Sequence, residues 1–333
     1  MADDKREEDP IRYKAGADGK FNRPVSTFRD VVSKAASSKY PAEKGRYAIY
    51  VSPGCPWCHR TMIVRALKRL EGIVDLYETE LSMGKDGWFF ATEDPLYGFK
   101  TVKQLYLKAD PGFSGRFTVP VLWDKKANTM VNNESSEIIR MLYAEFDDLL
   151  PEADREARRP GGGLYPEPLR SDIDELNDWV YHTVNNGVYK TGFASTQQAY
   201  EENLYPLFAS LDRLEERLAA GGPFLLGENI TEADVRLFPT VARFDTAYNP
   251  VFMCNLKSVR HDYPHLYLWF RRLYWDESDK THGAFHKTTQ PWMSKHAQGY
   301  QTSRFRVLGI QGPLIVPRGP AVMIDELKEV EAL

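Results

Sequence analysis

The sequence predicts an α/β domain followed by an all-α domain, and three observations lead there. A β-rich run, Arg46 to Ser52, leads into Cys55-Pro56-Trp57-Cys58 and an amphipathic stretch from His59 to Leu70. Strand and helix signals then alternate as far as about residue 150. Beyond a segment rich in Pro, Gly and Arg at 151–168 the periodicity is helical. With 333 residues the chain exceeds one typical domain, which fits two.

Residues 1–45 are highly charged at first and then Ser/Lys-rich, and they are expected to form a mobile or loosely docked N-terminal arm. A strand over 46–52, a helix over 58–70 with Pro56 at its entry, and a strand from about Val74 to Glu80 make a βαβ unit. The polar and aromatic stretch from Met83 to Ser114 receives no assignment, although long loops in compact domains often carry function. Arg116 to Asp124 reads as a strand entered through Pro120, Met130-Val131 as a short strand, and Glu134 to Leu142 as a helix with Asn133 as its N-cap. That order, with a cysteine at the first helix and a proline before the third strand, reads as a thioredoxin-like domain over 46–150, followed by a linker over 151–168. Helices are expected over Leu169–Val184, Gln197–Ala219, Thr231–Phe244 and Tyr263–Trp275, within a helical domain spanning 169–290. Thr231-Glu232-Ala233-Asp234 is a capping-box variant with a structural role. The tail over 291–333 repeats Pro and Gly and is expected to wrap over the surface.

Composition narrows the function. A formal net charge of −4 gives no nucleic-acid footprint, and no apolar run approaches the length of a membrane span. The charged start argues against a secretory signal, and three cysteines in so long a chain point to a reducing compartment, with the cytoplasm as the expected location. Seven Trp and eighteen Tyr exceed what packing requires, and one use of the excess is an aromatic surface for flat ligands.

The chemistry centres on Cys55-Pro56-Trp57-Cys58. A cysteine at the mouth of a helix faces unpaired backbone N–H groups and the positive end of the helix dipole, which lower its pKa and favour the nucleophilic thiolate. His59 and Arg60 add possible positive charge. Zinc needs about four ligands, and the remaining cysteine, Cys254, stands far off without a His or Cys pair, so no metal is expected. A disulfide between positions three apart closes too short a loop to stabilise much. A buried, inert pair is the other bland reading. Thiol–disulfide chemistry is the favoured one.

Five strings sharpen this. They are Cys-Pro-Trp-x-His-Arg at 55–60, Thr-Val-Pro-Val-Leu-Trp-Asp at 118–124, Asn-Asn-Glu-Ser-Ser-Glu-Ile-Ile-Arg at 132–140, Asn-Asn-Gly-Val-Tyr-Lys at 185–190 and Thr-Glu-Ala-Asp-Val-Arg-Leu-Phe at 231–238. Together, over residues from about 45 to 290, the chain resembles the cytosolic glutathione transferases, and within them the Xi class, the glutathionyl-hydroquinone reductases. The resemblance implies a thioredoxin-like N-terminal domain with a helical glutathione-transferase C-terminal domain, glutathione as co-substrate and a homodimer. It also implies Cys55 as the nucleophile and a cis bond at Pro120, with Val119 and Pro120 offering backbone to the cysteinyl unit of glutathione. Glu134 and Ser135 would hold the γ-glutamyl group, and Trp88 and Arg116 would lie near the glycyl end. The aromatic part of a glutathionyl conjugate would lie against Trp57, Tyr189 and Tyr248. For Glu134 and Ser135 helix capping is the alternative, for Arg116 a solvated cation, and for the tyrosines simple packing.

Two departures stand out. The family usually has a small inert residue, commonly alanine, where this chain has Cys58, which is either a resolving thiol or a filler of that space. A family tyrosine usually follows a histidine in the C-terminal segment; here the pair is His296-Ala297, with Tyr300 displaced nearby, which suggests a wider and more permissive site. These departures give footing to an Omega-like alternative, a thiol transferase acting on mixed disulfides, dehydroascorbate or phenacyl-glutathiones. A ligandin-like protein that binds aromatic compounds between its domains is the reading of another class.

Overall fold

The computed structural model describes residues 16, 18–35, 37–315 and 323–331. The first half runs β1 (Tyr47–Val51), α1 (Pro56–Leu67), β2 (Asp75–Glu78), α2 (Val102–Ala109), β3 (Val121–Asp124), β4 (Thr129–Asn132) and α3 (Ser135–Ala144). The sheet order is β2-β1-β3-β4, with β1 parallel to β2 and β3 antiparallel to both β1 and β4. Every residue of β1 is buried because both faces of the strand are covered. Tyr47 and Tyr50 point to opposite faces; the first meets Phe146 edge-on at 5.7 Å, and the second meets Tyr77 at 5.2 Å.

The unassigned stretch between β2 and β3 is packed. Buried Asp94 accepts the backbone N–H groups of Leu96, Tyr97 and Phe99 at 3.0, 3.2 and 2.8 Å, and the Tyr50 hydroxyl at 2.8 Å. One carboxylate thus turns the loop and ties it to the central strand. The loop ends in α2, opened by a reciprocal capping box between Thr101 and Gln104, a spacing visible in the sequence.

The described part of the arm corrects the expectation of loose docking. Phe21, Val32 and Tyr40 are buried, and the Phe21 ring stacks on Phe193 at 5.6 Å. Phe28 and Asn133 exchange hydrogen bonds: the Phe28 N–H donates to Asn133 Oδ1 at 3.2 Å, and the Asn133 N–H donates to the Phe28 carbonyl at 3.1 Å. Apolar anchors spaced along a charged segment, with its backbone groups satisfied, hold it down. Residues 1–15 lie outside the described residues.

The second half contains α4 (Arg170–Val180), α5 (Gly187–Gly192), α6 (Gln197–Ala220), α7 (Glu232–Arg243), α8 (Asn249–Phe252), α9 (Val259–Asp262), α10 (Pro264–Trp275) and α11 (Ala284–Leu308). Four of these answer the expected helices, although the expected continuation of α4 is a π-helical turn, Tyr181–Asn185. The boundary expected at residue 291 falls inside α11, which continues through Pro291. Proline removes one backbone donor, and the buried face of Met293, His296, Ala297 and Tyr300 offsets the loss by packing. The tail keeps its expected surface course over 323–331, where the Trp275 indole donates to the Asp325 carbonyl at 2.8 Å and Arg271 pairs with Glu331 at 3.0 Å.

The segment between the halves is also anchored. Lys68, just after α1 and fully buried, pairs with Asp147 at 2.8 Å and Glu156 at 3.1 Å. Arg159 donates to the carbonyls of Leu67 at 3.1 Å and Lys280 at 3.0 Å. Helix α1 packs against α3 on one side and against α7 and α11 on the other, so the helix that carries the cysteines is also the seam between the halves.

Candidate active site

The chain leaves β1 and reaches Cys55 through Pro53-Gly54. Glycine is required at 54 because a Cβ there would stand 2.2 Å from the Leu81 carbonyl oxygen. Cys55 is the N-cap of α1, with extended backbone (φ −85, ψ 121) and Pro56 at the first helical position. Its sulfur lies 3.7 Å from the carbonyl oxygen of Val119, the residue before a cis peptide bond to Pro120. The cis bond expected at this position is therefore present.

Burial pushes the Cys55 thiol up. The Cys58 thiol and the N–H groups of Cys58 and Trp57, with the positive charge of Arg243, outweigh it and bring the group down to about 7. Cys58 goes the other way: burial and the neighbouring Cys55 push it well up, so it remains a thiol and a donor. The two sulfurs of one motif are electrostatically opposite, one poised to ionise and the other held neutral. Ser52 donates its N–H toward the Cys58 sulfur at 3.4 Å.

The charge near Cys55 does not come from its sequence neighbours. His59 is buried and pushed well below its usual range, first by burial and then by Arg243, so it is neutral. Arg60 turns away, with its guanidinium on Asn185 Oδ1 at 2.8 Å and the Arg236 carbonyl at 3.2 and 3.0 Å.

Two cavities meet beside Cys55. The first, of about 390 Å³, runs from Val119 and Pro120 past Arg116 to Glu134, Ser135 and Ser136 at the start of α3. Glu134, rather than the expected Asn133, caps that helix, accepting the Ser136 N–H at 3.1 Å, while its other oxygen accepts the Ser26 hydroxyl from the arm at 3.1 Å. Capping and an open polar wall therefore coexist at Glu134. Ser135 is buried beside it. The second cavity, of about 200 Å³, contains Cys55 and is lined by Trp57, Trp88, Tyr189 and Tyr300 among other apolar groups. Arg116 and Trp57 line both.

The tyrosines converge. Tyr300 lies at hydrogen-bond distance from the hydroxyls of Tyr189, at 3.2 Å, and Tyr248, at 3.0 Å. Burial raises all three phenols, so they stay protonated. The displaced Tyr300, one turn beyond His296, lines the aromatic cavity. Tyr248 differs from expectation: it has no exposed surface and stands behind Tyr300 rather than on the cavity wall.

Three contributors were not evident from sequence. Phe21 and Arg23 of the arm line both cavities; the Arg23 guanidinium sits 5.0 Å from the rings of Trp57 and Tyr189, and its Nε donates to Asn186 at 2.8 Å. Arg243, at the end of α7, donates to the Pro53 carbonyl at 2.9 Å, just below the cysteine turn. None of them carries a motif, and all reach the site through tertiary packing alone.

Comparison with known proteins matches this architecture. The N-terminal domain model of glutathione S-transferases matches residues 54–145, and the C-terminal domain model matches 197–272. The chain is 48% identical to glutathione S-transferase omega-like 2 of Schizosaccharomyces pombe, over 92% of this chain and 96% of that protein. It is 41% identical to glutathionyl-hydroquinone reductase PcpF of Sphingobium chlorophenolicum, over 91% of this chain and 90% of that protein. The crystal structure of the glutathione S-transferase Xi from Phanerochaete chrysosporium superposes with a TM-score of 0.85 at 45% identity, covering 96% of this chain and all of that one. With both domains matched and near-complete overlap with such relatives, the chain belongs to the glutathione S-transferase family, in its Xi class.

Proposed function

We propose that this protein is a glutathionyl-hydroquinone reductase. The observation that carries the reading is a thiolate-prone Cys55 placed where a polar cavity meets an aromatic one. The Cys55 thiolate attacks the sulfur of a glutathionyl-hydroquinone. The carbon–sulfur electron pair passes to the ring, whose carbon takes a proton, so hydroquinone leaves and Cys55 holds glutathione in a mixed disulfide. A second glutathione, as thiolate, attacks the glutathionyl sulfur, releasing oxidised glutathione and restoring Cys55. Two exchange steps predict ping-pong kinetics.

In this reading the peptide lies in the polar cavity. The Val119 backbone, before Pro120, pairs with the cysteinyl unit, and Trp88 and Arg116 lie toward the glycyl end. Glu134 accepts from the γ-glutamyl ammonium, while Ser135 and the free N–H groups of α3 take the carboxylate. The ring stacks near Trp57, and the hydroxyls of Tyr189 and Tyr300 address its oxygens, with Tyr248 orienting Tyr300.

The likeness to the Xi class also leads us to propose a homodimer formed through the helical domain and a cytoplasmic site of action, where glutathione is reduced. Among the described residues no helix is long and apolar enough to cross a membrane. Light scattering tests the first, and fractionation of tagged protein the second.

One observation favours a second reading. Cys58 lies within hydrogen-bonding reach of Cys55 and lowers its pKa. As a resolving thiol, Cys58 would attack the Cys55–glutathione disulfide, release glutathione and leave a Cys55–Cys58 disulfide for two glutathiones to reduce. That route would extend activity to Omega-like disulfide substrates. The deciding experiment is glutathione-dependent reduction of glutathionyl-menadione by native protein, Cys55→Ser and Cys58→Ser. Turnover lost with Cys55→Ser and kept with Cys58→Ser supports the single-thiol reductase. Absence of turnover in the native protein refutes the reductase reading and directs the test to mixed disulfides or to binding without chemistry.

A further inference from the structure

Arg243 is a buried cation in an unusual setting. Its side chain is 1% exposed, and among the described residues it forms no ion pair with a carboxylate. Nη1 donates to the Pro239 carbonyl at 3.0 Å and faces His59 Nδ1 at 2.9 Å; Nη2 donates to the Pro53 carbonyl at 2.9 Å; Nε has no hydrogen-bond partner. Burying a charge without an opposite charge is costly, so such a group persists where something compensates it.

The hydrogen-bond network decides what the His59 contact is. The Thr288 and Thr289 hydroxyls donate to the carbonyls of Ala284 and Phe285 at 2.7 and 2.6 Å. Their oxygens are therefore left to accept from His59 Nε2, at 3.0 and 3.2 Å. With the proton on Nε2, Nδ1 is the acceptor that Arg243 needs, and His59 carries no charge. Arg243 is thereby oriented by two carbonyls and a neutral imidazole, none of which cancels its charge.

The groups around it leave one candidate for the opposite charge. His296 from α11 is held neutral, its pKa pushed well down by burial and by Arg243. Tyr248 and Tyr300 are protonated phenols, and Cys58 is a thiol. Cys55 remains, two residues beyond the carbonyl that Arg243 grips, and its pKa falls partly through Arg243.

We propose that Arg243 sets the reactivity of Cys55 across the domain seam, as the buried countercharge of its thiolate. Arg243 is a positioning residue, supplied by the helical half to a nucleophile of the thioredoxin-like half. The Pro53 contact fixes the cysteine turn and the cation relative to each other, so Arg243 adds its share of the stabilisation only when the two halves are docked. Other groups around Cys55 are the Cys58 thiol and, in its cavity, the phenols of Tyr189 and Tyr300, exposed Arg23, half-buried Arg116 and the exposed carboxylate of Asp86. The inference rests on Cys55 being the nucleophile proposed above.

The test reads the thiol directly, without turnover. The rate of Cys55 alkylation by iodoacetamide is followed against pH, with absorbance of the thiolate in the ultraviolet, in native protein, Arg243→Met and Arg243→Lys. The expected result is a midpoint raised by about one pH unit in Arg243→Met, roughly a tenfold slower alkylation at pH well below the midpoints. Arg243→Lys keeps the charge and is expected to hold the midpoint near the native value, even if melting falls. An unchanged midpoint in Arg243→Met overturns the proposal. So does an Arg243→Lys midpoint that rises as far as that of Arg243→Met, since shape rather than charge would then matter. If Arg243→Met does not fold, native protein titrated in about 0.05 M and about 1 M salt decides. A buried countercharge resists screening, so the midpoint stays put, whereas a midpoint that climbs with salt assigns the effect to surface cations such as Arg23 and overturns the proposal. A native protein with a low thiol midpoint and no reductase turnover would break the reductase reading and leave this inference standing.

Discussion

The cavity that runs from Val119 to the start of α3 takes much of its wall from the arm (Phe21, residues 23–26 and Arg29) and from two short segments, 118–120 and 133–136, whereas the cavity beside it adds to Phe21 of the arm Trp88 from the loop before α2, Tyr189 from α5, Phe252 from α8 and Tyr300 from α11. In the first, the 118–120 and 133–136 segments are short motifs that a sequence can specify, whereas the arm residues are not. The second is an aromatic lining assembled from five distant elements, and its shape depends on how the halves dock. In the proposed reaction the first serves the part common to every substrate, and the second serves the part that differs. Selectivity then sits where the structure is hardest to read from sequence.

Cys55 lines the aromatic cavity with its sulfur 3.7 Å from the carbonyl of Val119, which lines both, so in the proposed reaction its loss should erase the difference between them. Cys55→Ser is expected to lower turnover of glutathionyl-menadione and of a small glutathione mixed disulfide alike, by more than about a thousandfold, because a hydroxyl cannot form the disulfide intermediate. Residual turnover of one substrate alone, in steady-state assays of both, would separate the cavities at the chemical step.

Tyr300→Phe should sharpen the comparison. It removes the hydroxyl that links Tyr189 and Tyr248 and the proposed donor to the ring oxygens. A loss of roughly 10- to 100-fold in kcat/KM is expected for glutathionyl-menadione, the range of about 1–3 kcal/mol for an unmade buried hydrogen bond. The small mixed disulfide should be almost unaffected. Equal losses for both substrates would show that the phenol supports the fold rather than the ring.

Acidification should act on both sides together. With the Cys55 thiol brought down to about 7, the thiolate is the main form above that pH and is lost below it. The logarithm of kcat/KM should therefore fall with a slope approaching one unit per pH unit on the acid side, about tenfold per unit. A profile flat from about pH 8 to about pH 5 would mean that the nucleophile is not this thiol or is ionised throughout.

Ser135→Ala should act on the polar cavity alone. A rise of about fivefold in KM for glutathione, with kcat little changed, matches the loss of one hydrogen bond worth about 1 kcal/mol. An unchanged KM would leave Ser135 as part of the helix start only. The smallest effect is expected at Arg23, which is exposed. Arg23→Met should change KM for the aromatic conjugate by about twofold to fivefold, the scale of an exposed cation–π contact of about 0.5–1 kcal/mol.

The thioredoxin-like order was legible, α2 (Val102–Ala109) excepted, because its other elements announce themselves locally. β1 is an unbroken β-forming run, α1 begins at proline, and α3 begins at a polar Asn-Glu-Ser run, although its cap is Glu134 and not Asn133. The long helices α6, α7 and α10 were legible from their apolar period, and their ends fall close to the expected residues. The loop holding Asp94 was not, since a single carboxylate collecting three N–H groups leaves no periodic trace. Helix α11 was hidden by Pro291, whose cost is met by tertiary packing. The docked arm was hidden by its charge, which outweighs a few widely spaced anchors in any reading by composition.

The sequence by itself determined where the proposed nucleophile stands and what favours it: a cysteine at a helix mouth, behind a strand and before a proline, meets unpaired N–H groups whatever else the chain does. It also placed the start of α3 to within one residue, at Asn133 where the structure has Glu134, and the family resemblance implied the cis bond at Pro120. Tertiary structure alone decided the electrostatics around that nucleophile. Burial neutralised the expected cation at His59, the seam turned Arg60 away, and α7 delivered Arg243 instead. The physical reason is that backbone donors follow from local conformation, whereas the effect of a side-chain charge depends on distance and desolvation, which exist only once the two halves have closed on each other.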